Sequence, residues 1–432
     1  MTDDDKKLDR RRFIRNTGLL GLTGLVGAKI AQAGDVAFLA DDVTYGKEAS
    51  GAIPTYPNIE QPFGNGTRQL VSGYPGKRPM IRLTTRPPQL ETPFSAFDEG
   101  VLTPNDAFYV RYHGAPFPAA VDANAFRLSI GGNVARSLTL SLSDLKTKFP
   151  IREIVAVCEC SGNGRGFSQP RVKGGQYANG AMGNARWTGV RLKDVLNAAG
   201  VRAGSVQISM NGLDAPSEDG PDFVKALNMT QVMDDNEEVM LAFQMNGADL
   251  PLLNGFPLRV VVPGYYATYW VKHINKISVL KTPLDNFYMS TAYRIPDNAC
   301  ACVPPGEKPA STVPINRLNV RSFFTSISDG SEVLAGYPTT IKGIAFDGGS
   351  GIRSVQVSED DGLNWTDAKL SPSLGRYSFQ EWTHNFIPTQ AGQYKLKVRA
   401  ISNNLETQPE VAPWNPSGYM RNVVEAISVN VV

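Results

Sequence analysis

The chain has 432 residues, 42% of them hydrophobic and 19% charged, enough to bury a sizeable core across two or three domains. Its 41 glycines and 30 prolines argue for a turn-rich, β-rich protein and against a helical bundle or a disordered chain. Lysine and arginine total 43 against 41 acidic residues, but the first 33 residues hold seven basic and four acidic side chains, so the remainder is balanced at 36 to 37. No basic field is left for a phosphate backbone, which excludes nucleic acid as a partner on electrostatic grounds.

In chain order, DRRRFIRNTGLLGLTGLVGAKIAQA comes first. Arg10 and Arg11, then Phe13, Ile14, Arg15, a mildly apolar stretch and Ala31-Gln32-Ala33 form the pattern of a twin-arginine export signal. Residues 1–33 are therefore expected to be a signal cleaved after Ala33, sending a protein folded before export to the periplasm. No later segment has the length of apolar residues that a membrane span needs. Residues 34–95, rich in Pro, Gly, Thr and Arg with little periodicity, are expected to form an extended arm.

From 96 to 305 the spacing predicts a mixed α+β domain. Strand-like runs (FRLSIGG, IREIVAVCE, LRVVVPG, INKISVLKT) alternate with the helical candidates SLSDLKTKF, VRLKDVLNAAG and DFVKALNMTQVM. ACACVPPGEKPASTVP, residues 299–314, reads as a linker. After it, 315–432 shows only strand patterns: GYPTTIKGIAFDGG, IRSVQVSEDDGLNWTDAKL, YSFQEWTHNF, GQYKLKVRAIS and VVEAISVNVV. With turns about every ten residues and Asp361-Gly362 at a hairpin position, an immunoglobulin-like sandwich is expected there.

The chemistry concentrates in VAVCECSGNGRGF, residues 155–167. Cys158/Cys160 and Cys300/Cys302 are each one residue apart, awkward for a disulfide within either pair, while cross-pairing stays open. The spacing is also wrong for a four-thiolate zinc site, and there is no Cys-x-x-Cys-His for haem. A cysteine hydrolase would need a histidine base, and His113, His273 and His384 sit in no nucleophile motif. Cys160 ends a strand-like run before a glycine-rich loop, which presents one soft thiolate where backbone amides can approach a bulky ligand, with Arg165 as a fixed cation. In FYVRYHGAPFP, Arg111 and His113 alternate with apolar residues and share one strand face. Two arginines beside a thiolate suggest an oxyanion at a soft metal, unless Arg111 is merely paired with a carboxylate.

These residues resemble the sulfite oxidase family of molybdenum-cofactor enzymes. FYVRYH, ECSGNGR, GAMGNARWTGVRLKDVL and QMNGADLPLLNGFPLRVVVPG occur in the family's order, and the likeness runs from about residue 100 to the C-terminus. The resemblance implies a molybdenum–molybdopterin cofactor bound through the thiolate of Cys160, with no haem on this chain. It implies Arg111, Arg165 and Tyr293 as catalytic residues, the arginines holding an oxyanion. It implies Val110, His113, Asn211, Asn254, Arg259, Trp270 and Lys272 as cofactor contacts, Arg259 and Lys272 on the pterin phosphate side. Tyr177 stands at a pocket tryptophan position, and Ser350 replaces an arginine that the C-terminal domain of the animal enzymes lends to the pocket.

Cys158 has no family counterpart and is expected to lie off the metal. No cytochrome domain precedes the motifs, and the aromatics Tyr265 to Trp270 look like those of the exported bacterial sulfite and sulfane dehydrogenases. The resemblance thus implies oxidation of carrier-bound sulfane sulfur or a related sulfur oxyanion. It also implies a separate c-type cytochrome partner docking near those aromatics, and homodimerisation through the C-terminal domain. The alternatives are a direct sulfite dehydrogenase, a nitrate or sulfoxide reductase, and a noncatalytic assembly protein.

Overall fold

A computed structural model describes residues 58–60, 67–85, 87–114, 116–216 and 220–432. The export signal expected over 1–33 and the start of the arm lie outside the described residues. The described part of the arm is a sheet. Asn58–Glu60, Thr67–Val71, Met80–Thr84, Gln89–Glu91 and Val110–Arg111 pair antiparallel in chain order. Strands of two to five residues are too short for alternation to stand out in a sequence. Tertiary contacts fix them instead. The buried Glu91 carboxylate pairs with Arg68 at 2.6 Å and accepts from the Ala178 and Gly180 amides at 3.1 and 3.0 Å.

The middle of the chain builds two sheets around one core. In the first, Lys225–Asn228, Gln207–Gly212, Ile274–Leu280, Leu128–Gly132 and Leu138–Leu140 lie in that order, with Ile274–Leu280 parallel to Leu128–Gly132. In the second, Ala248–Asp249, Met240–Met245, Met182–Arg191 and Ile151–Glu159 lie side by side, and Arg259–Val261 also pairs with Met240–Met245. Leu128, Ile130, Ala156, Trp187, Leu241, Val260 and Ile277 are buried together in this core.

Helices are few and short. Leu142–Lys148 starts at a capping box between Ser141 and Asp144, and Leu192–Ala199 ends at Gly200 with φ 71°. The helix expected across DFVKALNMTQVM is instead a strand, Lys225–Asn228, followed by the five-residue helix Met229–Met233. Lys225, Ala226 and Leu227 are all buried, and pairing Asn228 with Gln207 satisfies the sheet edge, so tertiary contact overrides helix propensity. The chain is accordingly mostly β with few helices, and the α+β expectation overstated the helical share.

Most of the C-terminal strands fall where the alternation put them, and they form two facing sheets. One orders Arg321–Phe324, Thr339–Phe346, Gln380–Phe386 and Lys369–Leu370. The other orders Glu332–Val333, Glu425–Val431, Gly392–Ser402, Ile352–Ser358 and Thr366–Asp367. Phe324, Ile341, Val355, Trp382, Leu396 and Val429 fill the space between. Asp361 and Gly362 have φ of 58° and 92°, as a primed turn requires. RSFF was missed because its first residue, Arg321, is a fully buried charge.

That arginine joins the two halves of the protein. Its guanidinium reaches Glu159 at 2.6 Å, at the end of the strand that leads to Cys160, and Glu425 at 3.1 Å. Neither Arg321 nor Glu159 has side-chain exposure. The Met420 amide donates to the Ser161 carbonyl at 2.8 Å, and the Val157 amide to Tyr377 at 2.9 Å.

Candidate active site

Strand Ile151–Glu159 drives the chain to Cys160, whose amide donates to Ala181 and whose carbonyl accepts from Asn163, both at 2.9 Å. Gly164, at φ 79°, turns the loop back so that Arg165 lies over it. Residues two apart share a strand face, so Cys158 and Cys160 border the same cavity while Glu159 between them faces Arg321. Cys158 therefore borders the same cavity as the expected metal ligand. Its thiol is buried, 3.4 Å from the Tyr109 hydroxyl and 3.8 Å from the Arg259 guanidinium, and burial pushes its pKa up despite that cation.

Two cavities meet at Cys160. The first is bordered by His113, Asn254, Arg259, Trp270 and Lys272. The second is bordered by Arg165, Lys173, Gly174, Ser417 and Tyr419. Arg111, Cys160, Ser161 and Tyr293 face both. The structure thus brings together the expected metal ligand, all three expected catalytic residues and five of the seven expected cofactor contacts. Val110 and Asn211 border neither cavity. Val110 is buried in the core of the N-terminal sheet, and Asn211 donates to Asp222 at 2.7 Å. Tyr177 is buried and donates to Gln89 at 3.2 Å.

The first cavity has a cationic floor. The Arg259 guanidinium packs against the edge-to-face pair Trp187 and Trp270, 4.9 and 5.6 Å from their centroids, and donates to the Asn254 carbonyl at 2.9 Å. The Lys272 ammonium sits over the Tyr112 ring and donates to the Arg111 carbonyl at 2.8 Å. Burial depresses the Lys272 pKa and raises that of Asp214, each opposed by the attraction of the other. Among the described residues Arg111 pairs with no carboxylate, which removes the reading of it as half of a structural ion pair.

His113 stacks on Phe223 at 3.7 Å between centroids and shares a hydrogen bond with the Tyr293 hydroxyl. Burial, then Arg111, Lys272 and Lys225, hold its pKa well below the usual histidine range, so it is neutral at pH 7. Tyr293 has φ 58°, unusual for an aromatic residue. It is held by the Ile315 amide on its carbonyl at 3.0 Å and by stacking on Tyr419. Burial raises its phenol pKa even though Arg111 opposes the shift.

Sequence reasoning missed several residues because other parts of the chain deliver them. Lys77, from the N-terminal sheet, donates to the carbonyls of Asn105 and Phe108 and to the Asn254 side chain at 2.6–2.7 Å, and burial lowers its pKa to about 7. The C-terminal half contributes Ser417, whose carbonyl accepts from Arg165 Nε at 2.8 Å, and Tyr419, whose ring lies 4.9 Å from the Arg165 guanidinium. Ser350 does not border the pocket. Its hydroxyl binds Asp347 in a turn, and the C-terminal residues that border a cavity are Pro416, Ser417 and Tyr419.

Of the aromatics near which a cytochrome was expected to dock, Tyr266, Tyr269 and Trp270 are buried at 1, 5 and 3% exposure, and Tyr265 is half-buried. Cys300 and Cys302 form a disulfide, contrary to expectation. Ala301 adopts φ 49°, and the tight turn brings the flanking Cα atoms to 5.1 Å, within disulfide reach.

Whether a molybdopterin fits can be judged from the donor set. Ser161 Oγ, Thr268 Oγ1 and Arg259 Nε are buried at the first cavity with no hydrogen-bond partner. Groups left in this way are expected where a polar ligand binds. Three cations, Arg111, Arg259 and Lys272, face one carboxylate, Asp214, on that lining, and a free soft thiol stands at its end. An anionic group carrying a thiolate-seeking metal matches this set.

The family model "Oxidoreductase molybdopterin binding domain" matches residues 113–288, and "Mo-co oxidoreductase dimerisation domain" matches 312–432. Fold and site together define a molybdopterin-binding oxidoreductase. Mitochondrial sulfite oxidase of Mus musculus is 33% identical over 83% of this chain and 67% of its own. Sulfite oxidase of Gallus gallus is 32% identical over 87% and 82%. The crystal structure of the sulfane dehydrogenase SoxCD from Paracoccus pantotrophus superposes with TM-score 0.68 at 25% identity, covering 91% of this chain and 97% of that one. The chain belongs to the sulfite oxidase family of molybdenum enzymes.

The Arg165 cradle gives a first prediction. A Cβ at Gly174, where φ is +112°, would stand 2.7 Å from Arg165 Nη1. Gly174→Ala should therefore displace the guanidinium and act like Arg165→Gln. Each should raise KM for an anionic substrate more than it lowers kcat, with a loss in kcat/KM of about tenfold to a hundredfold, the worth of one charged hydrogen bond. Unchanged kinetics in G174A would show that Arg165 does not need this position.

Proposed function

We propose that this chain is a periplasmic molybdenum oxidoreductase that oxidises sulfane sulfur carried on a partner protein, or a related sulfur oxyanion, and passes the electrons to a c-type cytochrome. The observation that carries this reading is the convergence of Arg111, Arg165, Tyr293 and the free thiol of Cys160 where the two cavities meet. A thiol suits a soft metal, and paired guanidinium groups suit the oxygens of a sulfur oxyanion. The second cavity reaches the surface beside the exposed Lys173 and Gly174, which leaves room for a sulfur tethered to a second protein. The twin-arginine pattern supports export, the dimerisation-domain match supports a homodimer, and the likeness to the Paracoccus enzyme supports a partner subunit. The C-terminal pair of sheets is read as immunoglobulin-like.

When bound, the cofactor would supply a two-electron redox centre at which sulfur gains an oxygen from water, the sulfur losing two electrons and the water two protons. The chain's part is positioning and electrostatics. Cys160 would hold the metal, and Arg259, Lys272 and Asn254 would grip the anionic side of the pterin. Arg111 and Arg165 orient the oxyanion and stabilise charge developing on its oxygens. Tyr293 keeps its proton at pH 7 because burial raises its pKa, so its hydroxyl and the neutral His113 beside it share one proton at the junction.

Free sulfite as substrate is the second reading, favoured by the named sulfite oxidases at 32–33% identity. Steady-state assays decide between them. The expected result is turnover of a thiosulfate-loaded carrier protein with a cytochrome c acceptor, at a kcat/KM well above that for free sulfite. Fast turnover of sulfite with no response to the carrier would replace the sulfane reading with the sulfite one.

A further inference from the structure

The disulfide Cys300–Cys302 lies outside the site, and stability does not explain it. Cross-linking residues two apart closes a very short loop, and the restriction of the unfolded chain grows with loop length, so this bridge contributes little as a staple. Its surroundings suit exchange chemistry instead. Cys300 is exposed and Cys302 half-buried, so an incoming nucleophile meets one sulfur and leaves the other as the departing group. Ala301 between them is held at φ 49°, a conformation that L-residues disfavour and that opening the ring would release. Asn298 anchors the leaving side by donating to the Cys302 carbonyl at 2.8 Å and accepting from the Cys302 amide at 3.1 Å.

The turn also touches the pocket wall. The Ala301 carbonyl accepts from Asn415 Nδ2 at 3.4 Å, and the Val303 amide donates to Trp414 at 3.0 Å. Asn415 in turn binds the amides of Ser417 and Tyr419, and those two residues hold Arg165 and stack on Tyr293.

We propose that Cys300–Cys302 is a thiol-exchange site whose redox state is relayed through Asn415 to the Ser417–Tyr419 wall of the substrate cavity. A thiolate attacks Cys300 Sγ and forms a mixed disulfide. The electron pair of the broken bond goes to Cys302 Sγ, which takes up a proton. A second thiolate attacks the mixed disulfide at the sulfur that came from the first thiol, and the electron pair of that bond leaves on Cys300 Sγ, which takes up a proton. The balance is two thiols in, one disulfide out and a reduced Cys300/Cys302 pair, and the same disulfide product reverses it. The proposal does not depend on which sulfur compound the molybdenum site oxidises.

The test uses the full-length protein under native conditions, with reduced glutathione in one arm and reduced thioredoxin, a dithiol protein, in the other. After an acid quench and maleimide labelling, the tryptic peptide 295–317, which holds both cysteines, is weighed. Double labelling within minutes in either arm is the expected result, and the faster arm identifies whether the thiol source is a small molecule or a protein. A bond that opens only after denaturation would overturn the proposal. With oxidised glutathione, the variant Cys302→Ser should capture glutathione on Cys300 at least tenfold faster than Cys300→Ser captures it on Cys302. Equal rates would overturn the assignment of the attacked sulfur. On the same samples, amide hydrogen exchange over 415–420 should speed up severalfold on reduction, and no change there would overturn the relay.

Discussion

Cys160→Ser is expected to abolish sulfur oxidation while leaving a folded, soluble protein. The Cys160 backbone is fixed by Ala181 and Asn163, and neither bond involves the thiol, so the strand end should survive the change. What changes is the donor. A hydroxyl is a hard, weakly acidic ligand in place of a soft thiolate, and a loss of at least about three orders of magnitude in kcat is expected for a ligand that sets the metal's electronics. Molybdenum content measured beside the rate separates loss of the metal from loss of its reactivity. Retention of more than a few per cent of the rate would remove Cys160 as the ligand. The comparison variant is Cys158→Ser. Its thiol packs against Tyr109 and Arg259 on the same cavity, so a modest fall of less than tenfold is expected, and equal losses at the two positions would mean the ligand was wrongly chosen.

Arg321→Met should be the most destabilising surface-independent change in the chain. It leaves the fully buried Glu159 carboxylate with Asn163 as its remaining side-chain partner, and breaking a buried pair in this way costs about 3–5 kcal/mol. Burial already raises the Glu159 pKa, and Arg321 is the main force opposing that rise. Without the arginine the folded-state pKa moves higher still. Stability is then retained below the unfolded carboxylate value and lost as pH climbs through the folded one, so the deficit against the parent should be larger at pH 8 than at pH 5. Thermal unfolding at both pH values reads this directly. The double variant Arg321→Met/Glu159→Gln should recover part of the loss, because no charge is left behind. A single variant with unchanged stability at both pH values would show that the pair is not the clamp described.

The sequence was most legible where chemistry restricts residue choice. A thiolate, two guanidinium groups and a glycine-rich turn admit few substitutes, so Cys160, Arg111 and Arg165 could be placed before any coordinates. It was least legible where the site is assembled from distant segments. Lys77 comes from a sheet whose strands are too short to show a period, and Ser417 and Tyr419 come from the far end of the chain. Nothing local marks Lys77 as a support of Asn254 or the other two as pocket residues. The miss over DFVKALNMTQVM has another cause, since a lysine inside an apolar run suits an amphipathic helix as well as a buried strand, and only the partner strand Gln207–Gly212 decides. The disulfide was misjudged because spacing alone assumes extended backbone, whereas Ala301 is left-handed.

The placement of Ser417 and Tyr419 has a consequence for how such a protein can diversify. The residues proposed to grip the cofactor, Cys160, Asn254, Arg259 and Lys272, lie between 160 and 272, whereas Ser417 and Tyr419 on the wall of the second cavity lie in the segment matched as a dimerisation domain. Mutations at 416–419 can reshape the mouth without touching a cofactor contact, so substrate preference is free to drift while cofactor retention stays under separate selection. A library randomised at those positions alone would sample new specificities on a scaffold that still loads its metal.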